Sequence, residues 1–312
     1  MRLLPLLFLF PTFPTFAADF RAEVVDEDGK PMPGRVYIQR DDGRWFFPKS
    51  VSPDGSAVYY KKQRGEKSVE MHTTVSAHPF SADLPDGGYT LTIERGKEYR
   101  PSVERFEVRG EAVRLKVKPE RWVNMASRGW FSGDTHVHRT LADLPNVMLA
   151  EDLNVAFPLT QWVMRAYDAP AKNPHGPDHD AGNQLIKVDS THVIHPRNTE
   201  YEIFTVDGKR HMLGAVFVLN HKSSFPMGAP PVKPIAELAR KEGALLELDK
   251  HNWPWSMAII PVMNVDLFEL TNNHLWRTEF AFTNWAEPAP TYMKVDYGGS
   301  RSTELGWALF GF

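Results

Sequence analysis

The chain contains no cysteine. That absence excludes disulfide frameworks, thiolate zinc sites, iron–sulfur clusters and a cysteine nucleophile together, so any metal must sit on nitrogen and oxygen ligands. It also lacks an excess of either charge: 36 basic residues face 39 acidic ones, a net charge of -3. The one short basic cluster, Lys61, Lys62 and Arg64, is interrupted and followed by Glu66. No nucleic-acid partner is expected from such a balance. Beyond the N-terminus no apolar run approaches the roughly 20 residues of a membrane span, so stable membrane insertion is not expected either. Motifs are missing too. There is no Gly-x-Ser-x-Gly elbow, no phosphate loop, no Gly-x-Gly-x-x-Gly and no His-Glu-x-x-His, which disfavours a serine hydrolase, a kinase or a dinucleotide enzyme.

What is present is an ordinary globular composition, 42% hydrophobic and 24% charged over 312 residues, a length that favours two compact units. The opening twenty residues carry one cation, Arg2, then an apolar run from Leu3 to Phe10, then Ala17 and Ala18 before the first acid, Asp19. Residues 1–18 therefore read as a secretory signal peptide, and Pro5, Pro11 and Pro14 speak against an anchoring helix. A periplasmic or secreted mature protein is the expectation.

From residue 19 to about 120 the chain runs in short alternating segments between turn signals, such as RVYIQR before DDGR, and YTLTIE after PDGG. Val36 and Ile38, like Leu91 and Ile93, recur at the period of a half-buried strand, and about a hundred residues of this pattern predict an all-β sandwich. After Arg121 strand-like apolar runs alternate with helical patterns. In PIAELARKEG, Pro234 suits the first turn, Ile235, Leu238 and Ala239 share a face, and Gly243 can close the end. Residues 121–312 are accordingly expected to form an α/β domain. The segment from Asp168 to Gln184, rich in proline, glycine, asparagine and aspartate, reads as a surface loop.

Ten of the twelve histidines fall in this second part. The sharpest cluster is GDTHVHR, in which Asp134, His136 and His138 are spaced by two and, on a strand, project from one face. Two imidazoles at that spacing can hold a divalent ion while a carboxylate orients or bridges. Further on, Glu200 and Glu202 share a strand face in TEYEIF, VDG supplies a turn, His211 starts the return, and the apolar run AVFVLN delivers His221. The run ALLELD ends in Asp249 and His251, and VDLFELTNNH repeats the arrangement up to His274. Each of these alone is more often structural. Their recurrence at four strand ends points to one metal-lined mouth.

Together, GDTHVH, the glutamate followed by His211, and EGALLELDKHNWPW resemble the PHP (polymerase and histidinol phosphatase) metallohydrolases. Within that superfamily they resemble the carbaryl-hydrolase-like branch, in which a carboxypeptidase regulatory-like, transthyretin-like sandwich precedes the catalytic domain. The resemblance implies a distorted (β/α)7 barrel with two or three divalent metals. It implies metal ligation by His136, His138, His211, His251 and a central glutamate, for which Glu202 is preferred and Glu200 remains open. It also implies a late Asp-x-His element that nothing after His274 supplies, so the barrel is expected to be incomplete at its C-terminal part.

The functional expectation is an exported metal-dependent hydrolase. Ions held by imidazole and carboxylate, with zinc first and manganese or iron as alternatives, would activate water against a phosphoester, carboxyl ester or carbamate of a small-molecule substrate. Asp134, His211 and His221 are the candidate catalytic side chains. The competing expectation is a non-catalytic exported protein that binds a saccharide or surface polymer, with a degenerate second domain.

Overall fold

The structure is a computed structural model that describes residues 18–65, 68–163, 165–172, 181–202, 205–206, 209–210, 215–249 and 256–268. Residues 1–17, which carry the expected signal peptide, lie outside the described residues. So do His211, His251 and His274. The chain divides into two compact units, one running to Trp130 and taking in Asn146–Asp152, the other built from Phe131–Pro145 and from Leu153 onward.

Unit 1 contains β1 (Ala18–Val24), β2 (Gly34–Arg40), β3 (Trp45–Phe46), β4 (Lys49–Ser50), β5 (Ala57–Gly65), β6 (Ser68–Val75), β7 (Phe80–Leu84), β8 (Gly87–Glu94), β9 (Ser102–Val108) and β10 (Val113–Val117). One sheet has the order β10-β1-β7-β4; the other is β5-β6-β2-β8-β9, with β3 added beside β2. The alternating pattern sets the register: Val36 lies opposite Ile93 and Ile38 opposite Leu91. All four are fully buried in one core with Phe20, Val24, Phe80 and Leu84 from the other sheet. Two sheets sharing one apolar interior make a sandwich. Arg95 fastens the 146–152 segment to it, donating to the carbonyls of Pro33 and Leu149 at 2.9 and 2.7 Å and to Asp152 Oδ1 at 2.8 Å.

Unit 2 begins with β11 (Gly133–Val137) and the start of α1 (Leu144–Ala150). It continues through β12 (Val155–Pro158), β13 (Gln161–Val163), β14 (Ala171–Lys172), β15 (Ile186–Lys187), β16 (Val193–Ile194), β17 (Asn198–Glu202), β18 (Thr205–Val206), β19 (Lys209–Arg210) and β20 (Ala215–Leu219). Then come α2 (Lys233–Glu242), β21 (Leu245–Asp249), α3 (Ser256–Met263) and β22 (Leu267–Phe268). Helix α2 forms where the sequence predicts one. Proline stands in its first turn, Ile235 and Ala239 are buried, and Gly243 ends it at φ 75°, a left-handed conformation that glycine adopts without a Cβ penalty.

The sheets of unit 2 overturn the expected α/β barrel. Its strands form one sheet of order β11-β12-β16-β15, a second of order β14-β13-β17-β20-β21-β22, and the small pair β18-β19. In the second sheet β20 runs antiparallel to both of its neighbours, β17 and β21, whereas a (β/α)7 barrel requires parallel strands with a helix at each crossover. Among the described residues the α-helices are three, all short, and the fold is predominantly β in several sheets. Even where a helix does join two strands, as α2 joins β20 to β21, the strands pair antiparallel, so the strand–helix–strand pattern makes no parallel crossover there. The resemblance to PHP metallohydrolases of the carbaryl-hydrolase-like branch, and the vocabulary that came with it, therefore do not stand. No helix among the described residues is long and apolar enough to cross a membrane.

Candidate metal centre

The register of the β17-β20-β21 ladder places every side chain that matters. Glu200 pairs with Phe217, and Phe217 with Glu247; one step along, Glu202 pairs with Ala215, and Ala215 with Asp249. Cross-strand partners share a face, so one face of this sheet carries two rows of acid, apolar, acid. The opposite face carries Tyr201, Val216, Val218, Leu246 and Leu248, packed with Ile235, Ala236 and Ala239 of α2. Periodicity of two thus separates an apolar core from a carboxylate face on the same three strands. All four acids are buried, Asp249 at 0% and Glu200 at 1% exposure. Burying ionised carboxylates costs several kcal/mol each unless opposite charge meets them.

Strand β11, with His138 just past its end, brings nitrogen to that face. His136 Nε2 and His138 Nε2 lie 3.1 Å apart, and His138 Nε2 is 3.5 Å from Glu200 Oε2. One ligand atom from each of these three residues falls within 4.8 Å of the others. Ligands at about 2.0–2.1 Å in a tetrahedron stand about 3.3 Å from one another, and the two short separations here bracket that value. The His136 ring packs against Phe217 at 4.7 Å and the His138 ring against Trp162 at 5.5 Å. These contacts fix both planes. On the far side of His136, Nδ1 stands 3.7 Å from Asp249 Oδ1. That is longer than a hydrogen bond, yet close enough to favour a proton on Nδ1 and leave Nε2 as the donor atom for an ion.

Glu247 extends the same face. Thr135 donates to its Oε1 at 2.8 Å, while Oε2 has no hydrogen-bond partner among the described residues. Burial, helped by the Asp249 charge, pushes its carboxyl up to about 7, against the opposing pull of Thr135 and His136.

The sequence candidates separate clearly on this geometry. His136, His138 and Glu200 converge. Glu202 lies buried on the same face, outside the converging group. Asp134 is exposed, and its carboxylate accepts the backbone N–H of His136 at 2.8 Å, so it shapes β11 instead of pointing a charge at the ring nitrogens. His221 does sit just past the end of β20, fully buried. Its Nδ1 meets the Ser223 carbonyl at 2.6 Å and its Nε2 meets the Thr199 hydroxyl at 2.9 Å. Both nitrogens are engaged, and burial lowers its pKa to about 4. Glu247 was not singled out in the sequence, although Glu-x-Asp in LLELD has the same two-residue spacing as Glu200 with Glu202 and His136 with His138.

His221 gives a stability test of its own. Between about pH 6.5 and pH 4 the unfolded chain binds a proton there that the folded chain refuses, so this residue's contribution is present above pH 6.5 and is lost as pH falls toward 4. The loss amounts to about 3 kcal/mol at most. Urea midpoints of the wild type and His221→Gln across that window should differ in slope; identical slopes would refute a buried neutral ring.

No family model matches this chain, and no curated protein matches it. Among solved structures it is similar to the Bacillus anthracis TIE protein, at 14% identity and TM-score 0.21, over 34% of this chain and 17% of that one. It is also similar to the C-terminal domain of the shaft pilin SpaA from Lactobacillus rhamnosus GG, at 12% identity and TM-score 0.24, over 33% of this chain and 98% of that one. At those scores neither likeness bears on function.

Proposed function

We propose that this protein is a metal-dependent hydrolase, with one divalent ion held by His136 Nε2, His138 Nε2 and Glu200. The observation that carries the reading is the convergence of these three ligand atoms within 4.8 Å on a face lined by buried acids. Two neutral nitrogens and a carboxylate suit zinc, manganese or iron, and leave coordination open for water and substrate. Bound there, such an ion would activate water and polarise the scissile group. The protein's own residues do the rest. Asp249 favours the Nε2-coordinating form of His136, Phe217 and Trp162 hold the rings, and Thr135 orients Glu247 beside them. The substrate is a small phosphoester, carboxyl ester or carbamate.

Purified protein, loaded with zinc, manganese or iron and then dialysed, is the test. It should retain near-stoichiometric metal by mass spectrometry and turn over one of 4-nitrophenyl phosphate, 4-nitrophenyl acetate or 1-naphthyl N-methylcarbamate. Activity should vanish with a chelator and return with the ion. Dialysed protein that keeps none of the three metals would refute the proposal.

A further inference from the structure

The outward face of the sandwich in unit 1 carries a groove. In the β2-β8 ladder, Tyr37 lies opposite Thr92 and Gln39 opposite Thr90, and Trp45 of β3 lies opposite Gln39 from the other side. These five side chains and Glu94 line a groove of about 170 Å³. We propose that this groove binds a neutral polysaccharide, one sugar ring of the chain resting against the Trp45 and Tyr37 side chains.

Four features select that ligand. First, the aromatic walls are pre-set. The Tyr37 and Trp45 rings meet edge to face at 6.3 Å, and the Tyr37 hydroxyl is fixed by Arg35 Nη1 at 3.2 Å and Glu70 Oε2 at 3.3 Å. Little rotamer freedom remains to be lost on binding. Second, Thr90 and Thr92 project from the same side of β8, about 7 Å apart. Among the described residues neither hydroxyl enters a protein hydrogen bond, so both are available to a polyol. Gln39 donates from Nε2 to the Gly43 carbonyl at 3.3 Å, which leaves its own oxygen to accept.

Third, the charge in the groove is negative. Arg35 already faces Glu94, Glu70 and Glu151, so an anionic sugar gains no free cation there and meets the Glu94 carboxylate. Fourth, the groove is smaller than the 300–1,000 Å³ clefts that enclose a whole small ligand. It fits one ring of a longer chain laid across the sheet. An added peptide strand has no place here, because β2 and β8 are both interior strands whose backbone groups are paired.

The test is calorimetric titration of the full chain with cellohexaose, xylohexaose, mannohexaose and chitohexaose, with hexagalacturonate as the charged comparison. At least one neutral hexasaccharide should bind with a Kd below about 1 mM. Thr90→Val with Thr92→Val, which keeps both positions β-branched and the sheet intact, should weaken it about tenfold or more, since two hydrogen bonds are lost. Trp45→Ala should weaken it at least as much. His136→Ala with His138→Ala should leave it unchanged, so failure here is distinguishable from failure of the metal centre. Absence of binding to every neutral hexasaccharide, binding that the threonine pair does not alter, or tighter binding of hexagalacturonate would each overturn the proposal.

Discussion

Replacing His136 and His138 together by alanine is expected to abolish metal retention and, with it, hydrolysis. Structural zinc sites are worth about 10–16 kcal/mol over four ligands, so each imidazole carries about 3 kcal/mol, a hundredfold or more in Kd, and the pair about ten-thousandfold. Glu200→Gln should fall between the single and double histidine variants, because its oxygen lies 3.5 Å from His138 Nε2 and completes the same group. His221→Gln provides the contrast: both nitrogens of that ring are spent on Ser223 and Thr199, so metal affinity should not change. Equilibrium dialysis against zinc, read by mass spectrometry, separates these cases. A double variant that binds zinc as tightly as the wild type would remove the basis for a metal centre on β11.

The second large effect concerns the metal-free protein. Glu247 has its carboxyl raised to about 7 in the folded state, above its ordinary value, so between about pH 4.5 and pH 7 the folded chain binds more proton than the unfolded one. Stability is then highest below that window and falls as pH rises through it, by about 3 kcal/mol in total. Glu247→Gln keeps an acceptor for the Thr135 hydroxyl and removes the charge. It should stabilise the metal-free protein by about that amount at pH 8 and change it little at pH 4.5. Urea denaturation at the two pH values measures this, and equal gains at both would sink it. Because His221 contributes a slope of opposite sign over an overlapping range, the two groups partly offset each other in the wild type. Each single variant uncovers the other.

The sandwich was legible because its strands are exposed on one side only: GRVYIQR and YTLTIE alternate, and the alternation becomes the register of Val36 with Ile93. The second unit was harder. β20 is apolar at every position and β17 is buried at every position, so periodicity alone does not give strand direction, and AVFVLN fits a barrel strand as well as the antiparallel strand it forms. The helical pattern of PIAELARKEG did not settle it either, because α2 joins β20 to β21 and the two still pair antiparallel. In the site, His136 and His138 were visible from spacing. The choice of Glu200 over Glu202 was not, because both share a strand face and only the third dimension places one of them beside His138. Glu247 escaped notice because an acid inside an apolar run looks like an exposed position until its strand is found in mid-sheet.

Strand β20 contributes no chemistry, yet it acts as the spacer of the whole arrangement. Phe217 and Ala215 stand between the two columns of acids and keep them two strand widths apart, about 10 Å, so the proposed ion would be confined to the Glu200 side. One extra codon within β20 would swap Phe217 with a valine from the helix-packed face, tilting the imidazole that leans on it and opening a void beneath α2 in the same event. Evolution can therefore lengthen the connections between these strands, but within the plainest strand it cannot add or drop a residue.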